Sequence, residues 1–550
     1  MTISTRAVSF LWIIIAGIFF IPFLGNVHLF DWDEINFAEI AREMYISGNY
    51  GEPQINFLPF TEKPPLFFWL QVVSMKLFGI NDFAARFPNA VLGVLVLPLL
   101  YAAGKKIRDH QFGLLWALVY FGTILPHLYF KSGIIDPWFN FFIFGSLYCL
   151  IQSAWKKKVQ HSNTGYILAG GMLLGLAILT KGPAALLIIG LTFVTYWISE
   201  RFRMFISLPK LLLFAIVSLL VTAIWFGINY IQRGDKFLID FTVRQWQLLT
   251  TEDAGHGGFF LYHFVVLFFG CFPASVFLIQ SLFYKDNQAR KFTDFKKWMT
   301  VLFWVVLILF TIVTTKIVHY SSLAYYPLSF LAAVSLYNII TRKWQLRTWM
   351  KLLLVISGLP FIIAPLAAAW LGQHINSLAP LLKEDPFAVE NLQAAVYWSG
   401  WELLPGVSMI FVLLISLFWF KKQRHKQAVY LLFIGTAVYV QIMLFFFIKR
   451  IEGYSQRANI EFWKSHAKED CYMTTYGYKS YTHYFYGEMK AHSNKKYSDN
   501  EWLMKGAVDK PVYFSCKVDD KIKVEKEFPD AVFLYNSNGF YFYKRLPAAK

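Results

Sequence analysis

Two pairs of charged residues stand close together in a chain that is otherwise strongly apolar. Asp33 and Glu34 follow the first apolar run, and Glu62 and Lys63 come directly before two prolines. A carboxylate can act as a general base, and a lysine on stiff backbone can neutralise a phosphate as a point charge. We therefore expect residues 31–65 to contribute to a polar site beside the membrane.

Each pair also has a structural interpretation. An aspartate at a helix start is a good N-cap, and an acidic first turn complements the helix dipole, so Asp33 could serve the fold alone. The same geometry favours an ionised carboxylate, which a general base needs. A Glu-Lys pair in a loop is usually solvated, but the prolines and the run Phe67-Phe68-Trp69 hold this one against the membrane. Glu62 could bind a metal or orient Lys63.

Further candidates for chemistry lie in loops that follow apolar stretches, and they are Asp136, Lys181, Arg244, His256, Lys316 and Tyr320. Asp136 could instead cap a helix before a proline, and Lys181 could be a snorkelling lysine. His256, alone in a glycine-rich loop, is a weak metal ligand. Tyr320 could donate to a phosphate oxygen. Together these groups make a cationic cluster with carboxylates, which suits a hydrophobic molecule with a phosphate head.

The elements that must position these groups are membrane helices. The chain has 550 residues, of which 57% are hydrophobic and 16% charged. Apolar runs of roughly 17–23 residues are long enough to cross a bilayer. Thirteen such runs are predicted, near 8–24, 86–103, 112–130, 134–152, 166–179, 183–198, 208–230, 260–283, 297–315, 320–339, 348–371, 403–420 and 427–447. We expect the first to be a retained anchor.

Loop charges predict the orientation of these runs. Lys and Arg gather in alternate loops, for example at residues 105–108, 156–158 and 421–426. Cytoplasmic loops are enriched in these residues, so the net charge of +18 indicates membrane topology rather than nucleic-acid binding. This pattern predicts an internal N-terminus. The segment between residues 26 and 85, called here the first polar segment, is then predicted to lie outside the cell membrane. The C-terminus is predicted to lie on the same side.

The C-terminal hundred residues differ in composition from the rest. A helix is predicted for Ser455–His466, and short strands are predicted at 471–476, 511–516, 532–535 and 540–543. The chain is thus expected to comprise a membrane domain, residues 1–448, and a small exterior α/β domain, residues 449–550. Cys471 and Cys516 in that domain could form a disulfide or remain as two buried thiols.

An ordered series of short motifs resembles a known family. The series is Asp33-Glu34, Ala38–Met44 with Ser47-Gly48, Glu62–Leu66 with Trp69, Phe78-Gly79, Ala85–Pro88, Asp136, Lys181–Pro183, His256, and Lys316 with Tyr320 ahead of Pro327. It is similar to the membrane-embedded glycosyltransferases of the GT-C fold, in the branch of the protein O-mannosyltransferases and the lipid A aminoarabinose transferase. The resemblance implies a mainly α membrane protein with a GT-C fold, about thirteen transmembrane helices and a catalytic loop at about residues 26–85.

The resemblance also implies an activity. The donor would be a sugar on a polyprenyl (undecaprenyl) phosphate, and the acceptor would be lipid A, another glycan or a protein at the periplasmic face of a bacterial inner membrane. Asp33 would be the catalytic carboxylate, with Asp136 the next candidate. Lys63, Tyr320, Arg244 and Lys316 would hold the donor phosphate. In the aminoarabinose branch, residues at the positions of Glu62 and His256 bind zinc.

A transporter or flippase of lipid-linked sugars, which performs no chemistry, is the alternative. It would also need polar groups in a membrane-embedded cavity. Such a protein should carry charged residues midway through its spans, whereas the charged residues here concentrate on one face of the membrane. A ligase of the same broad fold that moves a preassembled chain is a third interpretation.

Overall fold

The computed structural model describes residues 4–157, 164–250, 257–284, 289–375 and 378–547. Its first part consists of long apolar helices interrupted by one polar segment. The helices up to residue 283 are α1 Thr5–Phe20, α2 Asp33–Ser47, α3 Leu66–Phe78, α4 Asp82–Ile107, α5 His110–Phe121, α6 Ile124–Tyr129, α7 Asp136–Lys157, α8 Thr164–Lys181, α9 Ala184–Ser199, α10 Leu208–Arg233, α11 Asp235–Thr250, α12 Tyr262–Gly270 and α13 Ala274–Phe283.

The second part of the membrane region continues in the same way. Its helices are α14 Arg290–Ile312, α15 Tyr325–Ile340, α16 Thr348–Gly358, α17 Pro360–Gln373, α18 Pro386–Asn391, α19 Leu404–Lys421, α20 His425–Met443 and α21 Lys449–Ser455. A 3-10 turn, Val318–Ala324, precedes α15, and a π-helical turn, Leu444–Ile448, joins α20 to α21. The predicted domain boundary at residue 448 therefore falls inside a continuous helical run.

Every predicted apolar run coincides with a helix or a helix pair. Among the described residues, eight helical stretches are long and apolar enough to cross a membrane, and α12 with α13, bent by 113°, makes a ninth if the pair is one span. The other predicted runs fall on α1, on α5 with α6, on α7 and on α9. The membrane-spanning architecture is confirmed, and the number thirteen stays a prediction.

The packing of α8 against α10 fixes the position of the end of α8, which contributes to the candidate functional site. Gly171 and Gly175 of α8 face α10 so closely that a Cβ on either glycine would lie within 2.6 Å of a heavy atom of α10. Gly182 follows α8 directly and has a φ of +91°, a value that residues with a Cβ rarely adopt. The chain therefore turns sharply after Lys181, which leaves this lysine at the end of α8.

The first polar segment folds as α2, a two-residue hairpin and α3. The predicted helix from Asp33 is confirmed, and it ends at Ser47 because Gly48 takes a left-handed conformation with φ of 72°. The hairpin pairs β1 (Gln54–Ile55) with β2 (Leu58–Pro59). Most of α2 is buried, so this segment is a packed unit rather than a solvated loop.

The C-terminal domain is a four-stranded sheet with short helices. Its elements are α22 Arg457–His466, β3 Tyr472–Thr475, α23 Thr482–Phe485, α24 Asn500–Lys505, β4 Val512–Lys517, α25 Lys521–Glu527, β5 Val532–Ser537 and β6 Phe540–Arg545. The strand order is β3-β4-β6-β5, in which β3 and β4 are parallel and the other pairs antiparallel. The predicted helix and all four predicted strands are confirmed.

The disulfide between Cys471 and Cys516 is not formed, since both are free and buried. The pairing of β3 with β4 explains the separation. Tyr472 pairs with Val512, so Cys516 lies four residues further along β4 than the partner of Tyr472. At about 3.3 Å per residue that offset is far beyond the Cα separation of about 7 Å that a disulfide tolerates. The alternative of two buried thiols is correct.

One hydrophobic core joins the first polar segment to the C-terminal domain. It contains Phe37 and Phe67 from the segment and Phe462, Trp463 and Phe542 from the domain. Each such side chain contributes about 1.5–3 kcal/mol when fully buried, so together they hold the two parts against each other. The segment that carries Asp33 and Lys63 is thus supported from one side by the membrane helices and from the other by the C-terminal domain.

Candidate functional site

A polar cavity of about 800 Å³ lies between the first polar segment, the ends of α7 and α8, the middle of α11, the 3-10 turn before α15, and the C-terminal domain. We call it the polar cavity. Its charged and hydrogen-bonding lining residues are Asp31, Asp33, Glu34, Asn36, Glu62, Lys63, Asp136, Lys181, Arg244, His319, Tyr320, Lys479 and Tyr481. Of the eight site residues expected from the sequence, six line this cavity: Asp33, Glu62, Lys63, Asp136, Arg244 and Tyr320.

Asp33 is the first residue of α2, and its carboxylate does not cap the helix. The cap position is Trp32, which makes no side-chain capping bond. Asp33 Oδ2 instead lies 3.4 Å from His319 Nε2, and the aspartate side chain keeps 32% of its surface exposed. The purely structural interpretation of Asp33 as an N-cap is therefore wrong, and the carboxylate is presented to the cavity.

Asp136 and Lys181 form an ion pair at the floor of the polar cavity. Lys181 Nζ donates to Asp136 Oδ1 at 2.6 Å, and only 3% of the aspartate side chain is exposed. Asp136 Oδ2 faces His319 Nε2 at 3.9 Å. His319 thus lies between the carboxylates of Asp33 and Asp136. Because Asp136 is buried and paired, it is less suited than Asp33 to take a proton from an incoming group.

Glu62 is held between two cations. Lys63 Nζ donates to Glu62 Oε1 at 2.6 Å, and Arg244 Nη2 donates to Glu62 Oε2 at 2.9 Å. Gln245 also donates to the backbone oxygen of Glu62 at 2.9 Å. Burial alone would raise the pKa of the Glu62 carboxyl, but Lys63 and Arg244 outweigh it and lower this pKa to about 2. Glu62 is therefore ionised and orients both cations toward the cavity.

A second, apolar space opens from the same place. A groove of about 190 Å³ is lined by Lys63, Asp136, Lys181 and Tyr320, which also line the polar cavity. Apart from Asn140 and Gln245, its other lining side chains are apolar and include Phe139, Pro183, Leu187, Ile188 and Phe310. Leu187 of α9 is 40% exposed on the surface that the membrane would cover. A charged cavity and an apolar groove therefore meet at Lys63, Lys181 and Tyr320. Lys181 Nζ lies 5.0 Å from the centre of the Tyr320 ring.

Lys181 was a candidate from the sequence without an assigned role, and two further cavity residues, His319 and Lys479, were not expected as site residues. Lys181 could be a snorkelling lysine, yet it pairs with Asp136. His319 directly precedes Tyr320 in the sequence, and this neighbour was the only sequence feature that pointed to it. Lys479 comes from the C-terminal domain, where its Nζ lies 4.6 Å from the ring centre of Trp32. No sequence motif points to Lys479, because only the packing of the domain brings it to the cavity.

Asp31 adds another carboxyl at the junction with the C-terminal domain. Its Oδ1 accepts from the backbone N–H of Tyr481 at 3.4 Å. Burial raises the pKa of Asp31 to about 6, although bonds from Ser480 and Tyr481 oppose the shift. This carboxyl therefore changes its charge just below neutral pH.

The expected role of Lys316 is wrong. Its side chain is 7% exposed and does not line the polar cavity. The ammonium group instead donates to the carbonyl oxygens of Phe310, Thr311 and Val313 at 3.1, 2.6 and 2.5 Å. These carbonyls belong to the last turn of α14 and the residue after it, where helical partners are missing. Lys316 therefore caps α14 and is not available to a phosphate.

The expected metal site is only partly described. His256 lies outside the described residues, and among the described residues no group of three or more His, Cys, Asp or Glu side chains could hold a metal ion. Both oxygens of Glu62 already accept from cations. Zinc at Glu62 and His256 therefore stays a prediction from the resemblance.

Comparison with known proteins shows which chains this one is similar to. A family model described as dolichyl-phosphate-mannose-protein mannosyltransferase matches residues 62–226. An undecaprenyl phosphate-alpha-4-amino-4-deoxy-L-arabinose arabinosyl transferase of Aeromonas salmonicida is 27% identical over 403 residues, 71% of this chain and 70% of that protein. A transferase of the same name from Pectobacterium carotovorum is 24% identical over 410 residues, 72% of this chain and 70% of that protein.

Solved structures extend the comparison to the whole fold. The crystal structure of ArnT from Cupriavidus metallidurans bound to undecaprenyl phosphate superposes with a TM-score of 0.75 at 17% identity, covering 99% of both chains. Its apo state gives the same TM-score at 16% identity. The likeness covers the membrane helices and the C-terminal domain together. The GT-C fold expected from the motif series is confirmed.

Proposed function

We propose that this chain is an integral-membrane glycosyltransferase that moves a sugar from a polyprenyl phosphate to an acceptor. The observation that carries the proposal is the meeting of the polar cavity with the apolar groove at Lys63, Lys181 and Tyr320. A polyprenyl phosphate has a charged head on a long apolar tail. Its head fits among the cations, and the part of its tail next to the head fits the groove, which α9 lines with Leu187 and Ile188.

The cations supply the electrostatic part of the reaction. In transfer, the bond between the sugar and the phosphate oxygen breaks, and negative charge grows on the departing phosphate. Lys63 and Arg244, oriented by Glu62, and the Tyr320 hydroxyl would donate to its oxygens. Preorganised donors of this kind act most strongly in a site from which water is excluded, and they are usually the largest catalytic contribution. Glu62 keeps both cations in place before the donor arrives.

Asp33 would act on the attacking group of the acceptor. If the acceptor attacks through a hydroxyl, the Asp33 carboxylate takes its proton as the new bond to the sugar forms. His319, 3.4 Å from Asp33 Oδ2, would hold the carboxylate in position. If the acceptor attacks through a phosphate oxygen, there is no proton to remove, and Asp33 would position that group.

The cell location and the acceptor class belong to the same proposal. The relatives named as undecaprenyl phosphate arabinosyl transferases come from bacteria. Together with the alternate loops rich in Lys and Arg, they support a bacterial inner membrane with the polar cavity and the C-terminal domain on the periplasmic face. The acceptor would be lipid A, another glycan or a protein.

The alternative is a flippase of lipid-linked sugars. The two functions are distinguished by whether the donor is cleaved. Purified chain in detergent would be incubated with a radiolabelled undecaprenyl phosphate sugar, with and without lipid A. A transferase releases undecaprenyl phosphate and labels the acceptor. If the donor is bound but never cleaved with any acceptor class, while reconstituted vesicles move it between leaflets, the flippase interpretation is correct and the proposed function is wrong.

A further inference from the structure

The polar cavity extends beyond the place proposed for the donor phosphate, where it meets the apolar groove at Lys63, Lys181 and Tyr320. The remainder of the cavity is lined by the first turn of α2 and by the C-terminal domain. Its lining there includes Asn36 and Lys479, neither of which lines the groove. Because the sugar of the donor is attached to the phosphate, it lies in this remainder. The proposed function assigns no role to either residue.

Asn36 presents an amide without a protein partner to the polar cavity. It lies three residues after Asp33, so the two side chains stand on the same face of α2. Asn36 is 5% exposed, and its Oδ1 is buried without a hydrogen-bond partner. Within the described residues its amide donates no hydrogen bond either. A buried amide without partners is costly, and a sugar hydroxyl can both donate to it and accept from it.

Lys479 presents a cation that no carboxylate neutralises. Lys63, Lys181 and Arg244, the other lysine and arginine residues that line the cavity, each lie in an ion pair. Lys479 is exposed and forms no ion pair or hydrogen bond within the described residues. Its Nζ lies over the Trp32 ring, 4.6 Å from the ring centre. An aromatic face attracts a cation without cancelling its charge, so this charge is open to a group in the cavity.

The segment that carries Lys479 is held in place by contacts on both sides of it. Before Lys479, the hydroxyls of Tyr478 and Ser515 share a hydrogen bond of 2.6 Å. After it, the Tyr481 ring meets the Trp32 ring edge-on, with the ring centres 5.4 Å apart. The C-terminal domain therefore presents the ammonium group to the first turn of α2 from a fixed position. A preorganised group of this kind loses little freedom when a ligand binds.

The carboxylates that line the polar cavity already have partners or another role. Glu34, Glu62 and Asp136 each lie in an ion pair with an arginine or a lysine. Asp31 lies at the domain junction, where a backbone N–H donates to it at 3.4 Å. Asp33 is assigned to the acceptor in the proposed function. An amine on the sugar would have to compete with these partners, whereas a hydroxyl or carboxylate oxygen would meet an open lysine.

We infer that Asn36 and Lys479 recognise the sugar of the donor, and that this sugar carries hydroxyl or carboxylate groups and no amino group. This rests on the proposed function. The Asn36 amide bonds to a ring hydroxyl, and Lys479 Nζ donates to a hydroxyl or carboxylate oxygen. A protonated amine in the same place would be repelled by the ammonium group of Lys479. In this respect the chain would differ from the relatives whose names contain an amino sugar.

The test is equilibrium binding of three undecaprenyl phosphate sugars to the detergent-purified full chain. The first sugar is L-arabinose, and the second is 4-amino-4-deoxy-L-arabinose, in which an amino group replaces one hydroxyl. The third is galacturonic acid, which carries a carboxylate. The unaltered chain should bind the two donors without the amino group about tenfold more tightly than the amino donor, because like charges repel. Equal binding of the three donors, or a preference for the amino donor, overturns the proposal.

Variants of Lys479 test whether this residue causes the preference. Lys479→Glu should reverse it, because the new carboxylate attracts the amine. Lys479→Met keeps an unbranched side chain beside Trp32 without the charge and should remove the preference. Lys523→Met is the matched control, since Lys523 Nζ also lies over a ring of the C-terminal domain, 5.3 Å from the centre of Tyr476, and does not line the cavity. A preference that survives in Lys479→Met overturns the role of Lys479.

A variant of Asn36 tests the uncharged contact. Asn36→Ala should weaken binding of all three donors by about threefold to tenfold, the effect of losing one hydrogen bond. Binding of undecaprenyl phosphate without a sugar should stay unchanged in this variant and in those of Lys479. An equal loss for the lipid without sugar overturns the role of Asn36 in sugar recognition. If the unaltered chain does not bind undecaprenyl phosphate, the failure lies in the proposed function instead.

Discussion

Asp33 and Glu34 are consecutive in the chain, yet their carboxylates have opposite surroundings. Glu34 accepts four hydrogen bonds, of which two come from Arg86, and its side chain is 9% exposed. Asp33 faces His319 across 3.4 Å and is 32% exposed. Glu34 is held inside the fold by its hydrogen bonds, and Asp33 presents a charge to the polar cavity. The two positions should therefore respond differently to the same amide substitution.

Asp33→Asn should abolish most transfer without loss of the fold. The change removes the charge, and α2 keeps its start because Asp33 does not cap it. With a hydroxyl acceptor, we expect single-turnover transfer to fall by about 100-fold or more, the scale of losing a general base. Donor binding should change little. Asp235→Asn, at the exposed first position of α11, is the matched control. Near-normal transfer by Asp33→Asn would move the base elsewhere, with Asp136 next.

Lys63→Ala should weaken binding of undecaprenyl phosphate and also slow transfer. The lysine meets the phosphate in the bound donor and more strongly as charge develops on departure. The measurement is a donor titration together with single-turnover rates on the same preparation. Lys76→Ala, in α3 of the same segment with Nζ 4.6 Å from the Tyr50 ring, should leave both values unchanged. Equal loss in the two variants would indicate that overall charge, and not this contact, attracts the donor.

Glu34→Gln should reduce stability strongly. Removing one charge leaves the Arg86 guanidinium buried without its ionic partner, which costs about 3–5 kcal/mol in comparable pairs. Glu200→Gln breaks the pair with Lys297, where both side chains are more than a third exposed, and should cost only about 0–1 kcal/mol. Thermal unfolding in detergent measures both. A similar small shift in the two variants would show that the packing around the start of α2 does not depend on this ion pair.

Glu43→Gln should make stability less dependent on pH. Burial, with Glu39 nearby, raises the pKa of the Glu43 carboxyl from 4.5 to about 9 in the folded chain. The folded state therefore holds a proton that the unfolded state releases, and stability falls as pH rises from about 4.5 through 9. Glutamine carries no such proton, so this variant should lose less stability across that window. Glu461→Gln, an exposed position in α22, serves as control. An unchanged slope with Glu43→Gln would mean that Glu43 is ionised in the folded chain.

Topology can be tested with single cysteines. Cysteines at Asn49 and Lys495 should react with an impermeant thiol reagent added to intact cells, whereas one at Lys422 should not. All three positions are exposed, so burial does not decide the result. The native cysteines that the structure describes are buried or partly buried and set the background. Labelling at position 422 but not at position 495 would reverse the orientation.

Local patterns predicted much of this structure. The helix from Asp33, the strands at 512–517 and 540–545, and the apolar runs all follow from spacing and turn residues, which act over a few positions. The pairing of Glu62 with Lys63 was likewise visible because the two are neighbours. The partner of Glu62 from α11, Arg244, was expected only as a phosphate ligand.

The remaining part of the site depends on contacts between distant residues. Lys316 was predicted to bind phosphate because it stands near Tyr320, but the open carbonyls at the end of α14 take its three donors. Lys181 meets Asp136 only because α8 packs beside α7, and Lys479 reaches the cavity from a separate domain. Residue type limits the chemistry that a side chain can perform, whereas tertiary packing decides which groups that side chain contacts.

The shared core of the first polar segment and the C-terminal domain has a consequence for biosynthesis. Residues 31–65 emerge from the ribosome well before residues 457–545. Phe37 and Phe67 contact Phe462 and Trp463 only after the later part has been translated. Until then Lys479 is missing from the polar cavity, and the backbone N–H of Tyr481 has not met Asp31. A nascent or truncated chain that lacks residues 457–545 would therefore carry Asp33 and Lys63 without the assembled polar cavity.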